Sequence, residues 1–295
     1  MESVLVLISN SVDRALSDDL ANMAQGLLPG ASSIDWLNPG IACELSFDRN
    51  HADGLTERLR AALGEMPVDF AVLPKSGRRK SLLLADMDST IIAQECIDEL
   101  GALAGLGTQI SEITARAMRG ELDFEDALRE RVGLMAGLQA SLIDKVIAEH
   151  ITLNPGARTL VRTMKAHGAH TALVSGGFTA FTEFVAVEVG FDFNRGNGLL
   201  IAGGKLTGGV SHPILGRSAK VDALTELCAT QGIDADSVIA VGDGANDLDM
   251  LAAAGVGVAL HAKPIVAQAA QVRIDHADLT ALLYLQGYQA KEFVT

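Results

Sequence analysis

Few cysteines and no long apolar run are present in this sequence, and both absences narrow the possible protein classes. Cys43, Cys96 and Cys228 are far apart in the 295-residue chain and form no CxxC pair. This spacing favours three reduced thiols in a cytosolic protein. No apolar stretch approaches the roughly 18 residues of a membrane span, and no basic segment leads into an apolar one near residue 1. We therefore expect a soluble, cytoplasmic protein with no membrane partner.

Basic residues are also scarce. There are 23 Lys and Arg against 37 Asp and Glu, a net charge of −14. Residues 1–77 account for −6 and the remainder for −8, so neither part offers a positive surface for nucleic acid. A hydrophobic content of 48% with 20% charged residues indicates a globular chain, and the length predicts about two domains.

Residues 1–77 show the order β-α-β-β-α-β, which is the ferredoxin-like pattern. Helical spacing of apolar residues predicts helices over 13–28 and 56–66. The predicted strands are 4–9, 33–37, 41–47 and 68–73. The pattern resembles ACT domains, which sense small molecules and often pair edge to edge. Because the glycine that these domains commonly place after the first strand is missing, we expect a structural role or a homodimer through this domain.

The segment PKSGRRK, Pro74–Lys80, is short, basic and contains glycine, which favours a solvated connector. Capture of a phosphate by its basic side chains is the alternative. The connector predicts a boundary between a domain over 1–77 and a second one over 78–295.

A second feature is a pair of carboxylates that follows a short apolar segment. Leu82–Ala85 predicts a strand buried in a parallel sheet, and Asp86 and Asp88 follow it directly. Open α/β sheets bind ligands at that end of their strands. Such a pair can share a divalent cation, or divide the roles of nucleophile and acid/base. Taken alone, D-x-D fits a loop or a helix cap equally well.

After this strand, apolar stripes predict helices instead of a second strand. They cover 96–106, 109–118, 124–135 and 138–150, with glycine-containing breaks near 107, 120 and 137. So long a helical insertion predicts a small cap over 94–153, outside a core formed by 78–93 and 154–295. A cap above the strand ends would exclude water from a bound substrate.

Two further strand ends carry polar residues. The predicted strand 171–174 leads to Ser175-Gly176-Gly177, which offers a hydroxyl and backbone N–H groups to an anion before a helix over 179–189. A plain glycine turn is the alternative. The predicted strand 238–241 ends at Gly242-Asp243-Gly244-Ala245-Asn246-Asp247. This is not the G-x-G-x-x-G of a dinucleotide site, so an oxidoreductase on the same layout is disfavoured.

These strand ends predict one site on a doubly wound, Rossmann-like α/β core. Asp86, Ser175 and Asp243 would meet if their strands are neighbours in one parallel sheet. Carboxylates, a hydroxyl and free N–H groups together suit phosphoryl transfer. Other predicted core elements are helices over 157–167, 220–229 and 279–286, a hairpin over 199–210 and a strand over 257–259.

The ordered segments DMDST (86–90), SGG (175–177), Lys220 and GDGAND (242–247) resemble the four motifs of haloacid-dehalogenase-type phosphatases. Glu95 and MRGELDFEDALRERV (118–132) resemble those members that act on O-phosphoserine. The resemblance covers roughly residues 80–285. It implies Mg²⁺-dependent hydrolysis of O-phospho-L-serine to L-serine and phosphate through an aspartyl-phosphate, the last step of serine biosynthesis.

The resemblance also implies roles for individual residues. Asp86 would be the nucleophile, and Asp88 the general acid/base. Burial and neighbouring negative charge would raise the pKa of Asp88, whereas a cation would oppose this. Asp86, Asp243 and the backbone carbonyl of Asp88 would bind Mg²⁺, with Asp247 orienting these ligands or pairing with Lys220.

Other residues would bind the substrate. Ser175, the Gly176 N–H and Lys220 would bind the phosphoryl group, with Asn246 near the metal or phosphate. Glu95 would bind the α-ammonium and Arg131 the α-carboxylate, and Phe124 would pack over the substrate. The resemblance thus implies Glu95, Phe124, Arg131 and Asn246 as substrate-binding residues.

Two alternatives remain open. One is a phosphatase or phosphotransferase of the same chemistry that acts on another small phosphomonoester. The other is a non-catalytic protein that senses an amino acid through its N-terminal domain, although such a protein would not need Asp88.

Overall fold

A computed structural model describes residues 2–28, 30–48, 50 and 54–295. The first elements form an antiparallel sheet in the order β2-β3-β1-β4, accompanied by two helices. They are β1 (Glu2–Ser9), α1 (Asp18–Gly26), β2 (Asp35–Asn38), β3 (Ala42–Asp48), α2 (Leu55–Leu63) and β4 (Val68–Pro74). This is the predicted order of elements; the likeness to an ACT domain stays a prediction.

A continuous apolar run, Val4–Ile8, buries both faces of β1. Leu5 and Leu7 are buried in a cluster that includes Leu59 of α2, whereas Val4 and Val6, on the opposite face, are also fully buried. Helix α1 begins later than predicted, at Asp18, because the Ser17 hydroxyl oxygen caps it by accepting the Leu20 N–H.

Most of the basic segment Pro74–Lys80 is exposed, as expected for a solvated connector, but the Arg78 side chain is not. The Arg78 guanidinium pairs with Glu44 at 2.8 Å, and these side chains are 9% and 14% exposed. Arg78 also donates to the carbonyl oxygens of Tyr284 and Leu285, and the Lys80 N–H donates to the Gln286 side chain. These partners are distant in sequence, so a local pattern of basic residues could not indicate them.

A six-stranded sheet has the order β12-β11-β10-β5-β6-β7, and its recorded pairings are parallel, which confirms the predicted parallel α/β core. Its strands are β5 (Leu82–Ala85), β6 (His170–Phe178), β7 (Phe193–Asn197), β10 (Val238–Gly242), β11 (Val256–Leu260) and β12 (Val272–Ile274). The accompanying helices are α7 (Ala157–Ala166), α8 (Thr179–Val189), α9 (Arg217–Gln231), α10 (Leu248–Ala253), α11 (Pro264–Ala269) and α12 (Ala281–Leu285). The sequence patterns did not predict β7, α11 or β12.

The predicted cap helices are present. They are α3 (Cys96–Leu103), α4 (Gly107–Met118), α5 (Phe124–Gly133) and α6 (Ser141–Glu149). The chain segments that enter and leave them pair with each other, because the Ala93 N–H donates to the Thr152 carbonyl and Ile92 lies opposite Leu153. The hairpin β8 (Leu199–Ala202) and β9 (Lys205–Val210) also forms as predicted.

By its contacts the chain divides into two compact units. The first comprises the chain up to Leu83 with Pro155–His170 and Ile233–Thr295, and the second comprises Leu84–Asn154 with Thr171–Gly232. The boundary predicted at residue 77 stays a prediction. Across the described part of the chain, no helix combines the length and the apolar character needed to cross a membrane.

Within the first unit, a buried carboxylate of β4 forms hydrogen bonds with the backbone segment that follows β12. Asp69, only 5% exposed, accepts hydrogen bonds from the N–H groups of Asp275, His276 and Ala277 at 2.8–3.3 Å. Burial raises the pKa of this carboxyl even though the three N–H donors lower it in part. The bonds join two parts of the chain that are far apart in sequence.

We expect Asp69→Ala to lower the free energy of unfolding by about 2–4 kcal/mol, because the N–H groups of 275–277 lose their acceptor inside the protein. Asp35→Ala removes an exposed carboxylate of β2 and serves as the control. Urea unfolding of the two variants measures the difference. Equal stability of Asp69→Ala and the unmodified protein would contradict this account.

Candidate active site

The centre of the second unit is a buried ion pair between Asp86 and Lys220. Asp86 follows β5, whose four residues are fully buried, and is itself 4% exposed. Its Oδ1 lies 2.7 Å from the Lys220 Nζ and also accepts the Met87 N–H at 2.8 Å. Lys220 is 2% exposed and lies in the first turn of α9. We had expected the helix to begin at Lys220, but it begins three residues earlier, at Arg217. An ion pair this deep is retained only where each charge has its partner.

Asp88 lies in a different electrostatic environment. Its Oδ1 is buried and has no hydrogen-bond partner among the described residues. Burial, followed by the negative charge of Glu95, raises the pKa of Asp88 from 3.8 to about 7. Hydrogen bonds from Cys96 and the charge of Lys220 act in the opposite direction. The direction and the causes confirm the expectation, and a pKa near neutrality suits a group that must both give and take a proton.

The triplet Ser175-Gly176-Gly177 approaches the Asp88 carboxylate through Gly177. Ser175 is buried, and its Oγ accepts the Gly177 N–H at 2.9 Å, so the hydroxyl proton is left to donate elsewhere. A Cβ at Gly177 would come within 2.9 Å of the Asp88 Oδ2, and one at Gly176 within 2.9 Å of the Phe124 ring. Both glycines are therefore needed for close approach. The triplet belongs to β6, which continues to Phe178, and does not form a separate turn before α8.

Asn197 fixes the backbone at Gly176. The sequence analysis did not predict a role for this residue. It is 1% exposed, and its amide nitrogen donates to the carbonyls of Gly176 and Leu215 while its Oδ1 accepts the Leu215 N–H. All three bonds use backbone groups, so Asn197 fixes Gly176 to the segment that leads into α9. Its strand, FNRGN, has little apolar character and therefore produced no strand signal.

The cap residues approach the same loop. The Phe124 ring contacts Gly176, and a Cβ at Gly216 would touch it at 3.5 Å. Arg131 is half-buried and donates to the Ala127 carbonyl and, at 3.5 Å, to the Thr114 hydroxyl. No carboxylate of the described residues lies within ion-pair distance of it, so its charge remains available to an anionic ligand. Burial lowers the pKa of Arg131, and the charges of Asp98, Glu95 and Asp88 partly restore it.

Glu95 completes the cap side of the site. It immediately precedes α3, and one of its carboxylate oxygens accepts the Ser89 hydroxyl at 2.8 Å. Arg129 pairs instead with Glu125 and Asp126 on an exposed helix face, as its position two residues from Arg131 predicts.

The first unit carries the remaining predicted residues. Asp243 and Asp247, at the end of β10, are 8% and 0% exposed. The Asp247 Oδ2 accepts the Gly244 N–H at 2.9 Å, and the Asp247 carboxylate occupies the space that a Cβ at Gly242 would need. Asn246 is half-buried beside Gly244, and the Lys263 Nζ lies 4.0 Å from the Asp243 carboxylate.

Three aspartates of the predicted site have the donor atoms that a metal ion requires. Asp86, Asp243 and Asp247 can each offer a carboxylate oxygen to a metal ion. Sets made only of oxygen donors select hard cations such as Mg²⁺ over zinc or copper. The residues present therefore fit the predicted cofactor.

Comparison with known proteins agrees with the motifs. Residues 83–252 match the model of the haloacid dehalogenase-like hydrolase family. A phosphoserine phosphatase of Streptomyces coelicolor is 46% identical over 279 residues, which is 92% of this chain and 68% of that protein.

Solved structures give the same result. A crystal structure of a haloacid-dehalogenase family hydrolase from Salmonella enterica serovar Typhi has a TM-score of 0.86 at 30% identity, covering 96% of this chain and 98% of its own. A probable phosphoserine phosphatase from Vibrio cholerae, in unliganded form, has a TM-score of 0.78 at 32% identity, covering 98% and 88%.

The raised pKa of Asp88 predicts a pH-dependent stability of the metal-free protein. Because the folded state holds this proton up to a pKa of about 7, the stabilisation is complete below about pH 4 and is lost as the pH rises through 7. Between pH 4 and pH 8 in EDTA, the free energy of unfolding should fall by on the order of 2–4 kcal/mol relative to Asp88→Asn, which cannot titrate. A difference between the two proteins that is independent of pH would contradict this.

Proposed function

Because the chain belongs to the haloacid dehalogenase-like hydrolases and groups there with the phosphoserine phosphatases, we propose that it hydrolyses O-phospho-L-serine to L-serine and phosphate. The observation that carries this proposal is the pair of neighbouring carboxylates in unlike environments. Asp86 is ionised against Lys220, whereas Asp88 is buried with a raised pKa. One is ready to attack phosphorus and the other to supply a proton.

In the first step an Asp86 carboxylate oxygen attacks phosphorus in line and forms an aspartyl-phosphate. The bond between phosphorus and the serine oxygen breaks, and Asp88 transfers its proton to that oxygen. In the second step a water attacks the aspartyl-phosphate and gives its proton to Asp88. The bond from phosphorus to Asp86 then breaks, which releases phosphate and restores both carboxyl groups.

The phosphoryl group would be held by the free proton of the Ser175 hydroxyl, the Gly176 N–H and the Lys220 ammonium. These donors suit the charged equatorial oxygens of a phosphoryl group in transfer. Asn246 is proposed to lie near the same group or the metal.

We propose that Asp86, Asp243 and the backbone carbonyl of Asp88 hold Mg²⁺, with Asp247 orienting these ligands. When bound, the ion would neutralise negative charge on the phosphoryl oxygens. Asp247 is suited to an orienting role because its carboxylate is fixed by the Gly244 N–H.

The amino-acid end of the substrate would be read by the cap. Glu95 carries a charge that suits the α-ammonium, and the unpaired guanidinium of Arg131 suits the α-carboxylate. Phe124 contacts Gly176 and would cover the bound substrate. The role in serine biosynthesis, a cytoplasmic location and a homodimer through the N-terminal sheet stay predictions.

The test of this proposal is phosphate release from L-phosphoserine and a panel of other phosphomonoesters, with Mg²⁺ and with EDTA. A strong, magnesium-dependent preference for phosphoserine is expected. Magnesium-dependent activity without that preference would point to another small phosphomonoester. No release from any ester would favour a non-catalytic amino-acid sensor.

Asp86→Asn should reduce turnover by more than about 10³-fold, because an amide oxygen is too weak a nucleophile to attack phosphorus. Unchanged circular dichroism and thermal midpoint would show that the variant folds. Turnover close to that of the unmodified protein would remove Asp86 as the nucleophile.

Arg131→Ala should lower kcat/KM for L-phosphoserine by about 30-fold or more, because the α-carboxylate loses its guanidinium. O-phosphoethanolamine, which lacks the carboxylate, should be affected little. Arg129→Ala is the matched control, since Arg129 pairs on the exposed helix face. Equal losses on both substrates would contradict the assigned role of Arg131.

A further inference from the structure

Ser89 adopts a backbone conformation that serine rarely accepts. Its φ of +55° lies in the left-handed region, where a side chain crowds the backbone. Such a residue persists only where its surroundings require it, and it often marks a functional position. Ser89 follows Asp88 directly, yet none of the roles above uses it.

The conformation of Ser89 closes a short loop around Glu95. The Ser89 N–H donates to the Gln94 carbonyl at 3.2 Å, and its hydroxyl donates to the Glu95 Oε1 at 2.8 Å. Two bonds from one residue therefore fix both the backbone before Glu95 and the direction of its carboxylate.

The Glu95 side chain does not stabilise the helix that it precedes, α3. It makes no capping bond to α3, and the N–H groups of Asp98 and Glu99 go to the Glu95 backbone carbonyl instead. The second carboxylate oxygen has no hydrogen-bond partner among the residues that the structure describes. One oxygen is thus held and the other is left for a cationic ligand.

We propose that Ser89 is a positioning residue for substrate specificity: it holds the Glu95 carboxylate where the ammonium of the substrate binds. This assignment rests on the proposed function, because it concerns how the enzyme would bind the ammonium group of O-phosphoserine. Without the hydroxyl, the long Glu95 side chain regains its rotamers, and binding an ammonium must restrict them again.

The experiment uses three esters that differ by one group each. L-Phosphoserine has both the ammonium and the carboxylate, O-phosphoethanolamine has only the ammonium, and 3-phosphonooxypropanoate has only the carboxylate. Ser89→Ala removes the hydroxyl, and Ser89→Gly removes it while relieving the left-handed backbone. Ser11→Ala is the matched control, because Ser11 also donates to a carboxylate, that of Asp278, in the first unit.

Both Ser89 variants should lose about tenfold in kcat/KM on the two ammonium-bearing esters, mainly through KM, because one hydrogen bond to a charged group is lost. Their kcat/KM on 3-phosphonooxypropanoate should not change, and Ser11→Ala should resemble the unmodified enzyme on all three esters.

Equal losses on all three esters would overturn the assignment, because Ser89 would then shape the loop of Asp86 and Asp88 and not the ammonium site. An unchanged preference for ammonium in both variants would overturn it as well. If the unmodified enzyme itself shows no preference for ammonium-bearing esters, the proposed substrate fails, and the role of Ser89 fails with it.

Discussion

The buried ion pair between Lys220 and Asp86 is the interaction on which the site depends. Both side chains are almost fully excluded from solvent, at 2% and 4% exposure, so neither charge could remain there alone. The pair joins the end of β5 to α9, and it keeps Asp86 ionised, which a nucleophile requires. It also supplies a fixed positive charge at the place where a phosphoryl group would arrive. Gly177 of β6 lies against the Asp88 carboxylate, and the amide of Asn197 joins Gly176 to the segment that leads into α9.

The chemistry that we propose follows from a contrast between two carboxyl groups two residues apart. Asp86 has a cation within 2.7 Å, whereas the Oδ1 of Asp88 has no partner in the described protein and its pKa rises to about 7. The cap contributes to this contrast, because Glu95 adds negative charge beside Asp88. The residue that would bind the substrate ammonium therefore also helps to keep the acid protonated. In the proposed mechanism, substrate recognition and proton transfer would therefore be linked through Glu95.

Some of this arrangement can be predicted from local sequence, and some cannot. The apolar run before Asp86 and the glycine-separated helical stripes are local signals, so β5 and the four helices α3–α6 were predicted close to their observed bounds. Lys220 has no local signal, since only the fold shows that it is buried. Asn197 lies on a strand without apolar alternation, and the partners of Arg78 could not be predicted because they are more than thirty residues away or near the other end of the chain. In each of these cases the deciding contact is remote in sequence.

The most direct measurement uses Asp88→Asn with an aryl phosphate, whose leaving group needs no proton. If Asp86 is the nucleophile and Asp88 serves as the base for the second step, the variant should release about one equivalent of phenolate in a burst and then stall. Mass spectrometry of the stalled protein should find one phosphoryl group on the peptide that contains Asp86. Steady turnover without a burst, or a phosphoryl group on another peptide, would contradict the account.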